Sequence, residues 1–337
     1  MKIVKPSVEL MNTGLERDVI LTPEQLIEKV GRTCYKSEDK ITMDSAVKFV
    51  SGLIKRGHEA MIEHWSPIFK TDVETYEEFV SNWEMLMHNG DFEIEGYLRP
   101  YLRFTDWKPT DDESRCIISG NMRAWRDYAK ACKEAFGFLP AYLRNVITGF
   151  PTFFPEYQDE NWDVTADYMN LTQIGVEDLV GPREHGIHHD VTVKFICDRG
   201  VSHEIVRHRT ASFAQESTRY CNYGLGKFGS EITVVMPSQW LDEDIESLTE
   251  NPAYNAWYNV NTASDAYYQE MINSGSTPQE ARSVLTNSLK TEIIVTMNLY
   301  NWDHFFDLRC APDAHPDIQV VAKMALKKFV DEVYTHA

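Results

Sequence analysis

The chain has 337 residues, 43% hydrophobic and 25% charged, enough to bury a large core as one big domain or two. Its 52 Asp and Glu against 33 Lys and Arg leave a formal charge of −19, which argues against nucleic acid or any other long polyanion as a partner. No apolar run approaches the roughly eighteen residues of a membrane-spanning helix. The first residues lack an apolar stretch of signal-peptide length, and six dispersed cysteines (34, 116, 132, 197, 221 and 310) suit neither a disulfide framework nor a zinc knuckle. A reduced, cytoplasmic compartment is expected.

Val47, Val50 and Ile54 recur at helical spacing and predict a helix over 44–57, which Gly57 can end in a left-handed conformation. Directly beyond lie His58, Glu59, Glu63 and His64, either a local hydrogen-bonded network or ligand-binding groups. Phe79, Val80, Trp83, Leu86 and Met87 predict a second helix over 76–88. A strand over 115–119 precedes a helix with Trp125, Tyr128, Ala129, Cys132 and Phe136 on one side. His185, His188 and His189 resemble metal ligands but carry no matching carboxylates, so a surface loop is expected and no metal.

Strict alternation of Val191, Val193, Phe195 and Cys197 predicts a strand over 190–197, then a turn at 198–200 and a short helix over 203–209 capped by Ser202. Another strand is expected over 232–236. Gly224, Gly226 and Gly229 imitate a dinucleotide-binding spacing, but a strand follows where that motif needs a helix, so it is rejected. Thr277-Pro278-Gln279-Glu280 predicts a capped helix running to about 290 and carrying Arg282. A strand over 292–299, a short helix delivering Arg309 and a last helix over 317–335 complete the chain. No internal repeat stands out, although Asn121-Met-Arg123-Ala-Trp125 echoes Asn298-Leu-Tyr300-Asn-Trp302, each after an expected strand.

The densest cationic stretch is Arg207 to Tyr220, with three arginines, one histidine, one glutamine and two serines in fourteen residues. Such a set can hold phosphate oxygens by bidentate, charge-assisted hydrogen bonds. From the residues alone, Arg207 and Arg219 are phosphate clamps or structural ion pairs. Ser217 is a phosphate contact, a cap or a nucleophile, and no His-Asp relay favours the last. Cys221 reads as a small packing residue.

Arg207-His208-Arg209, seven residues, then Ser217 resembles the signature of the flavin-dependent thymidylate synthases. The resemblance extends through His203-Glu204-Ile205-Val206 before it and Arg219-Tyr220 after it. It continues, in collinear order, at Gly57-His58-Glu59, Glu63-His64, Ala281-Arg282, Asn298 and Leu308-Arg309. It implies an α/β (α+β) fold with a central, mostly antiparallel sheet flanked by helices, not a Rossmann fold. One catalytic domain would span 1–337, with an insert at about 70–185, assembled as a homotetramer. It further implies FAD, dUMP, methylenetetrahydrofolate as carbon donor and NADPH as reductant. Carried over by position, His58, Ala60, Glu63, Arg207, His208, Arg209, Gln215, Asn298 and His304 would touch FAD. Glu204, Ile205, Val206, Arg207, Gln215, Glu216, Ser217, Thr218, Arg219, Arg282 and Arg309 would hold dUMP, with Arg309 and Ser217 nearest the chemistry. Ala60 departs from the family's usual hydroxyl, and Tyr300 and His304 replace residues that often meet the adenine end. A nucleotide-binding protein without catalysis and an RNA-binding protein are the rival readings, the second opposed by the acidic charge.

Overall fold

A computed structural model describes residues 1–15, 21–88, 101–110, 113–160, 162 and 170–336. The class is mixed α/β with antiparallel sheets flanked by helices, and the antiparallel strands divide between two four-stranded sheets. In the first, Ser7–Asn12 (β2), Asp190–Asp198 (β7), Lys290–Asn298 (β10) and Ser212–Gln215 (β8) lie side by side in that order. In the second the order is Leu102–Thr110 (β4), Glu113–Gly120 (β5), Ile68–Thr71 (β3) and Thr172–Ile174 (β6). A short parallel ribbon joins Lys2–Val4 (β1) to Thr233–Val235 (β9).

Helix α1 (Pro23–Tyr35) begins at a capping box, Thr22 with Gln25, a start signature that Thr22-Pro23-Glu24-Gln25 carries in sequence. Helix α2 (Ser45–Lys55) buries Ala46, Val50 and Leu53, while Val47 is exposed, so its inner face is rotated from the expected stripe. Helices α3 (Val73–His88) and α4 (Met122–Phe136) pack Phe79, Trp83, Trp125 and Tyr128 against the second sheet. The first sheet is covered by α9 (Leu299–Arg309) and α10 (Pro316–Glu332), where Trp302, Phe305, Phe306 and Phe329 cluster over Phe195. Between these come α5 (Leu143–Gly149), α6 (Gly181–His188), α7 (Arg199–Ile205) and α8 (Pro252–Asn273).

Two expected helices are corrected. The cap of α7 is Asp198, whose Oδ1 accepts from the Val201 N–H at 2.7 Å, and Ser202 lies buried inside the helix. This helix ends at Ile205, before the arginines, because the chain must reverse towards β8. The Thr277 capping box forms, but regular helix stops at Ala281 and tightens into a 3-10 turn over Arg282–Val284. Leu285 is then extended as the chain heads towards β10.

The echo between Asn121 and Asn298 has a structural basis. Each side chain caps the helix that follows its strand, accepting from Ala124 N at 2.8 Å and from Asn301 N at 3.1 Å. Their sheet partners behave alike: β3 leads into α3 through Asp72, and β7 into α7 through Asp198, each accepting an N–H three residues on at 2.7 Å. Apart from β9, α8 and the short elements that intervene between β8 and β10, the order β3-α3-β4-β5-α4 therefore matches β7-α7-β8-β10-α9, with the same antiparallel neighbours. The chain contains an internal repeat that its sequence conceals. The capping asparagines and the buried Trp125 and Trp302 recur at matching positions in the two halves.

The two units meet through buried polar contacts. Arg103 grips Asp190 with two bonds of 2.6 and 2.8 Å, and His64 Nδ1 lies 2.7 Å from Thr296 Oγ1. The expected surface loop at His185, His188 and His189 is instead helix α6 and its end, with all three rings buried. His188 uses both nitrogens, towards Thr105 at 2.9 Å and Ser119 at 2.7 Å, which leaves neither for a metal. Glu184, fully buried on the same helix, receives Arg115 at 2.9 and 3.0 Å and the Val180 N–H at 2.8 Å. Glu184→Ala removes the carboxylate that balances the buried Arg115 charge, so urea unfolding should report a loss of about 3–5 kcal/mol. A loss below about 1 kcal/mol would show the pair to be dispensable.

Candidate active site

A recess of about 550 Å³ opens where four elements come beside one another. The last turn of α1 supplies Cys34 and Tyr35. Gly57, in the left-handed region at φ 68°, turns the chain out of α2 so that His58, Ala60 and Met61 line the recess. A side chain other than glycine there would be strained. The turn after β8 brings Ser217 and Tyr220, anchored by the Ser217 N–H donating to Cys34 O at 3.0 Å. Helix α4 brings Arg123 and Asp127. Tyr35 and Tyr220 pack with ring centroids 5.2 Å apart and planes tilted by 58°, giving an aromatic edge to the recess.

Of the residues singled out in sequence, His58, Ala60 and Ser217 come together here. The Ser217 hydroxyl accepts from the Arg219 N–H at 3.3 Å, a local turn contact. Among the described residues no imidazole is bonded to it, so nothing activates it as a nucleophile. Burial pushes the Cys34 thiol up to about 11 and the Cys221 thiol up to about 12, so both are inert packing groups near neutrality.

A second cluster gathers at the end of α7. Arg309, delivered by the last turn of α9, donates from Nε to His208 Nε2 at 3.0 Å and from Nη1 to Glu204 Oε2 at 3.0 Å. Its Nη2 donates to the Glu204 carbonyl at 3.2 Å. His208 is buried, with Phe305 against it at a centroid distance of 4.9 Å and His304 at 6.1 Å. Burial first, then the Arg309 charge and His304, hold its pKa down to about 4. His208 is therefore a neutral acceptor at pH 7, able to fix the plane of the Arg309 guanidinium.

The other arginines differ. Arg207, Arg209, Arg219 and Arg282 are exposed, and their guanidinium groups make no ion pair or hydrogen bond to the described residues. Arg219 stacks only on the Tyr220 ring, 5.6 Å from its centroid. Val206 is also exposed, whereas Ile205, Glu216 and Thr218 are buried. The Glu216 carboxylate is taken up by Lys290 at 2.8 Å and Tyr223 at 3.0 Å, and the Gln215 amide donates to Ser202 at 2.9 Å. Glu63 lies instead beside Asn298 at the seam between the two units, where Arg123 reaches it at 2.8 Å. Within one chain these residues fall into separate groups. Arg123 and Asp127 were missed as recess residues, although the Asn121-x-Arg123 echo marked the place.

Residues 181–333 match the family model described as "Thymidylate synthase complementing protein". The flavin-dependent thymidylate synthase of Thermococcus kodakarensis is 33% identical over 180 residues, 51% of this chain and 69% of that protein. The chain belongs to the flavin-dependent thymidylate synthase family. The synthase of Pyrococcus furiosus is 38% identical over 132 residues, 39% of this chain, and that of Thermococcus onnurineus 35% over 127 residues, 37% of this chain. Those matches span about half of each relative, 50% and 48%. The matched residues 181–333 include Glu204, His208 and Arg309 of the second cluster and, of the recess, Ser217 and Tyr220.

Proposed function

We propose that the protein is a flavin-dependent thymidylate synthase, methylating dUMP to dTMP with methylenetetrahydrofolate and NADPH, and that residues 1–337 act as one catalytic unit in the cytoplasm. The observations that support this reading are four exposed guanidinium groups, Arg207, Arg209, Arg219 and Arg282, which make no ion pair or hydrogen bond to the described residues, and a recess lined by Ser217. Exposed arginines with no carboxylate partner among the described residues suit the phosphates of nucleotides. The recess suits a planar ring, with Tyr35 and Tyr220 at one edge and Leu53 and Met61 within. FAD, when bound and reduced, would supply the hydride, and the folate the one-carbon unit.

The side chains would then do the positioning. Arg207, Arg219 and Arg282 would hold the phosphate of dUMP, with Ser217 as a further contact and Arg209 towards the flavin nucleotide. Hydride addition to a uracil ring pushes negative charge onto its N3 and O2 edge. Arg309, permanently charged and held flat by His208 and Glu204, would neutralise it. The separation of these groups within one chain is what favours a homotetramer, whose subunits would complete each other's sites.

Purified protein should be yellow or become so on reconstitution, oxidise NADPH in a dUMP-dependent way and release dTMP. Its mass by light scattering should be that of four chains. Colourless protein that cannot be reconstituted with FAD would overturn this function.

A further inference from the structure

The internal repeat places α4 in one unit where α9 stands in the other. Two and six residues after its capping asparagine, α9 carries Tyr300 and His304, and α4 carries Arg123 and Asp127. The α4 pair faces the 550 Å³ recess. Glu63 holds Arg123 from behind at 2.8 Å, and Arg123 Nε lies 3.6 Å from Asp127 Oδ2. The recess thus has a carboxylate and a guanidinium side by side on one wall, each about one-third exposed (33% and 36%).

We propose that Asp127 and Arg123 bind the 2-amino-4-oxo edge of a pterin ring, the reduced folate of the reaction proposed above. That edge offers two adjacent donors, the 2-amino group and N3–H, followed by the O4 acceptor. A carboxylate accepts both donors at once, and a neighbouring guanidinium donates to O4. The 2,4-dioxo edge of a flavin or a uracil has a single N–H between two carbonyls. It would set one carbonyl oxygen against the Asp127 carboxylate, so the pair discriminates between these rings. Tyr35 and Tyr220 supply an aromatic wall for the ring itself. Burial pushes the Asp127 carboxyl above its ordinary range, partly offset by Arg123, the behaviour of a carboxylate short of donors. The 70–185 segment would by this account contribute a substrate wall to the catalytic site, with α4 serving as a diverged copy of α9.

Folic acid binding to the FAD-loaded protein, followed by calorimetry, tests this without turnover. Asp127→Asn should weaken folic acid roughly 10- to 100-fold, the loss of a charged bidentate contact, and raise the KM for methylenetetrahydrofolate far more than that for dUMP. A 2-desamino folate should bind wild-type protein roughly 10- to 100-fold more weakly than folic acid, while the Asp127→Asn variant should hardly distinguish the two. A variant that is merely misfolded would not lose that discrimination selectively, and Arg123→Lys gives an independent weakening. Equal affinity of wild type and Asp127→Asn for folic acid overturns the inference, as does a variant that loses FAD instead of folate. Wild-type protein that holds FAD and dUMP but no folate overturns the inference alone. Protein that binds none of the three overturns the functional reading with it.

Discussion

Arg309→Ala is expected to lower turnover about 10²–10³-fold, the loss seen when one donor aimed at developing negative charge is removed. Arg309→Lys should recover little, because an ammonium group cannot reproduce the planar fork that now reaches His208 Nε2, Glu204 Oε2 and the Glu204 carbonyl together. The same substitution has a readout independent of catalysis. Arg309 is, after burial, the main cause of the depressed His208 pKa, so in Arg309→Ala that pKa should rise from about 4 towards 6.5, visible by NMR titration. Wild-type turnover in a folded Arg309→Ala protein would remove Arg309 from its proposed role. An unmoved His208 would show that the contact in the folded chain is weak.

Stability should fall steeply between pH 6.5 and 4, a loss that begins above the ordinary carboxylate range. Burial pushes His64 and His188 down to about 3 and His208 down to about 4, from an ordinary 6.5. In the unfolded chain each takes up a proton near pH 6.5, whereas the folded protein resists protonation until pH 3–4. Below 6.5 the unfolded state therefore binds more protons, and the stability present above that pH is lost as pH falls towards the folded values. Each histidine contributes a slope of about 1.4 kcal/mol per pH unit, so three together approach about 4 kcal/mol per unit. The Glu292 carboxyl moves in a lower window. Burial raises it, but Lys290 and Lys36 outweigh burial and hold it down to about 2, so its contribution is lost only as pH falls below 4.5. Urea midpoints measured at pH 7, 6 and 5 should drop in sequence. A flat profile over that range would mean that the three rings are not neutral and enclosed.

His64 and His188 show why the interior between the two units was hard to read. In sequence, His188 sits in a polar run that looks like a surface loop. Its burial depends on Ser119 and Thr105, about seventy and eighty residues away, arriving at its two nitrogens. The helix at 203–209 failed for a nearer reason. Asp198 and Ser202 are both good caps, and Asp198 takes the role because β7 ends there, aiming its carboxylate at the Val201 N–H. The capping box at Thr277 was correctly read, but a start signal carries no information about length, and the approach to β10 ends the helix after one turn.

Local chemistry by itself determined the strand at β7, the amphipathic face of α4, the approximate end of α2 at Gly57 and the cationic signature from Arg207 to Tyr220. Each depends on residues within a few turns of one another. Tertiary structure alone decided that Arg309 meets His208 and Glu204, that Cys34 and Ser217 share a wall with Asp127, and that the chain folds as two copies of one motif. Those facts rest on residues about ninety or more positions apart, or on backbone topology that local side-chain chemistry does not encode.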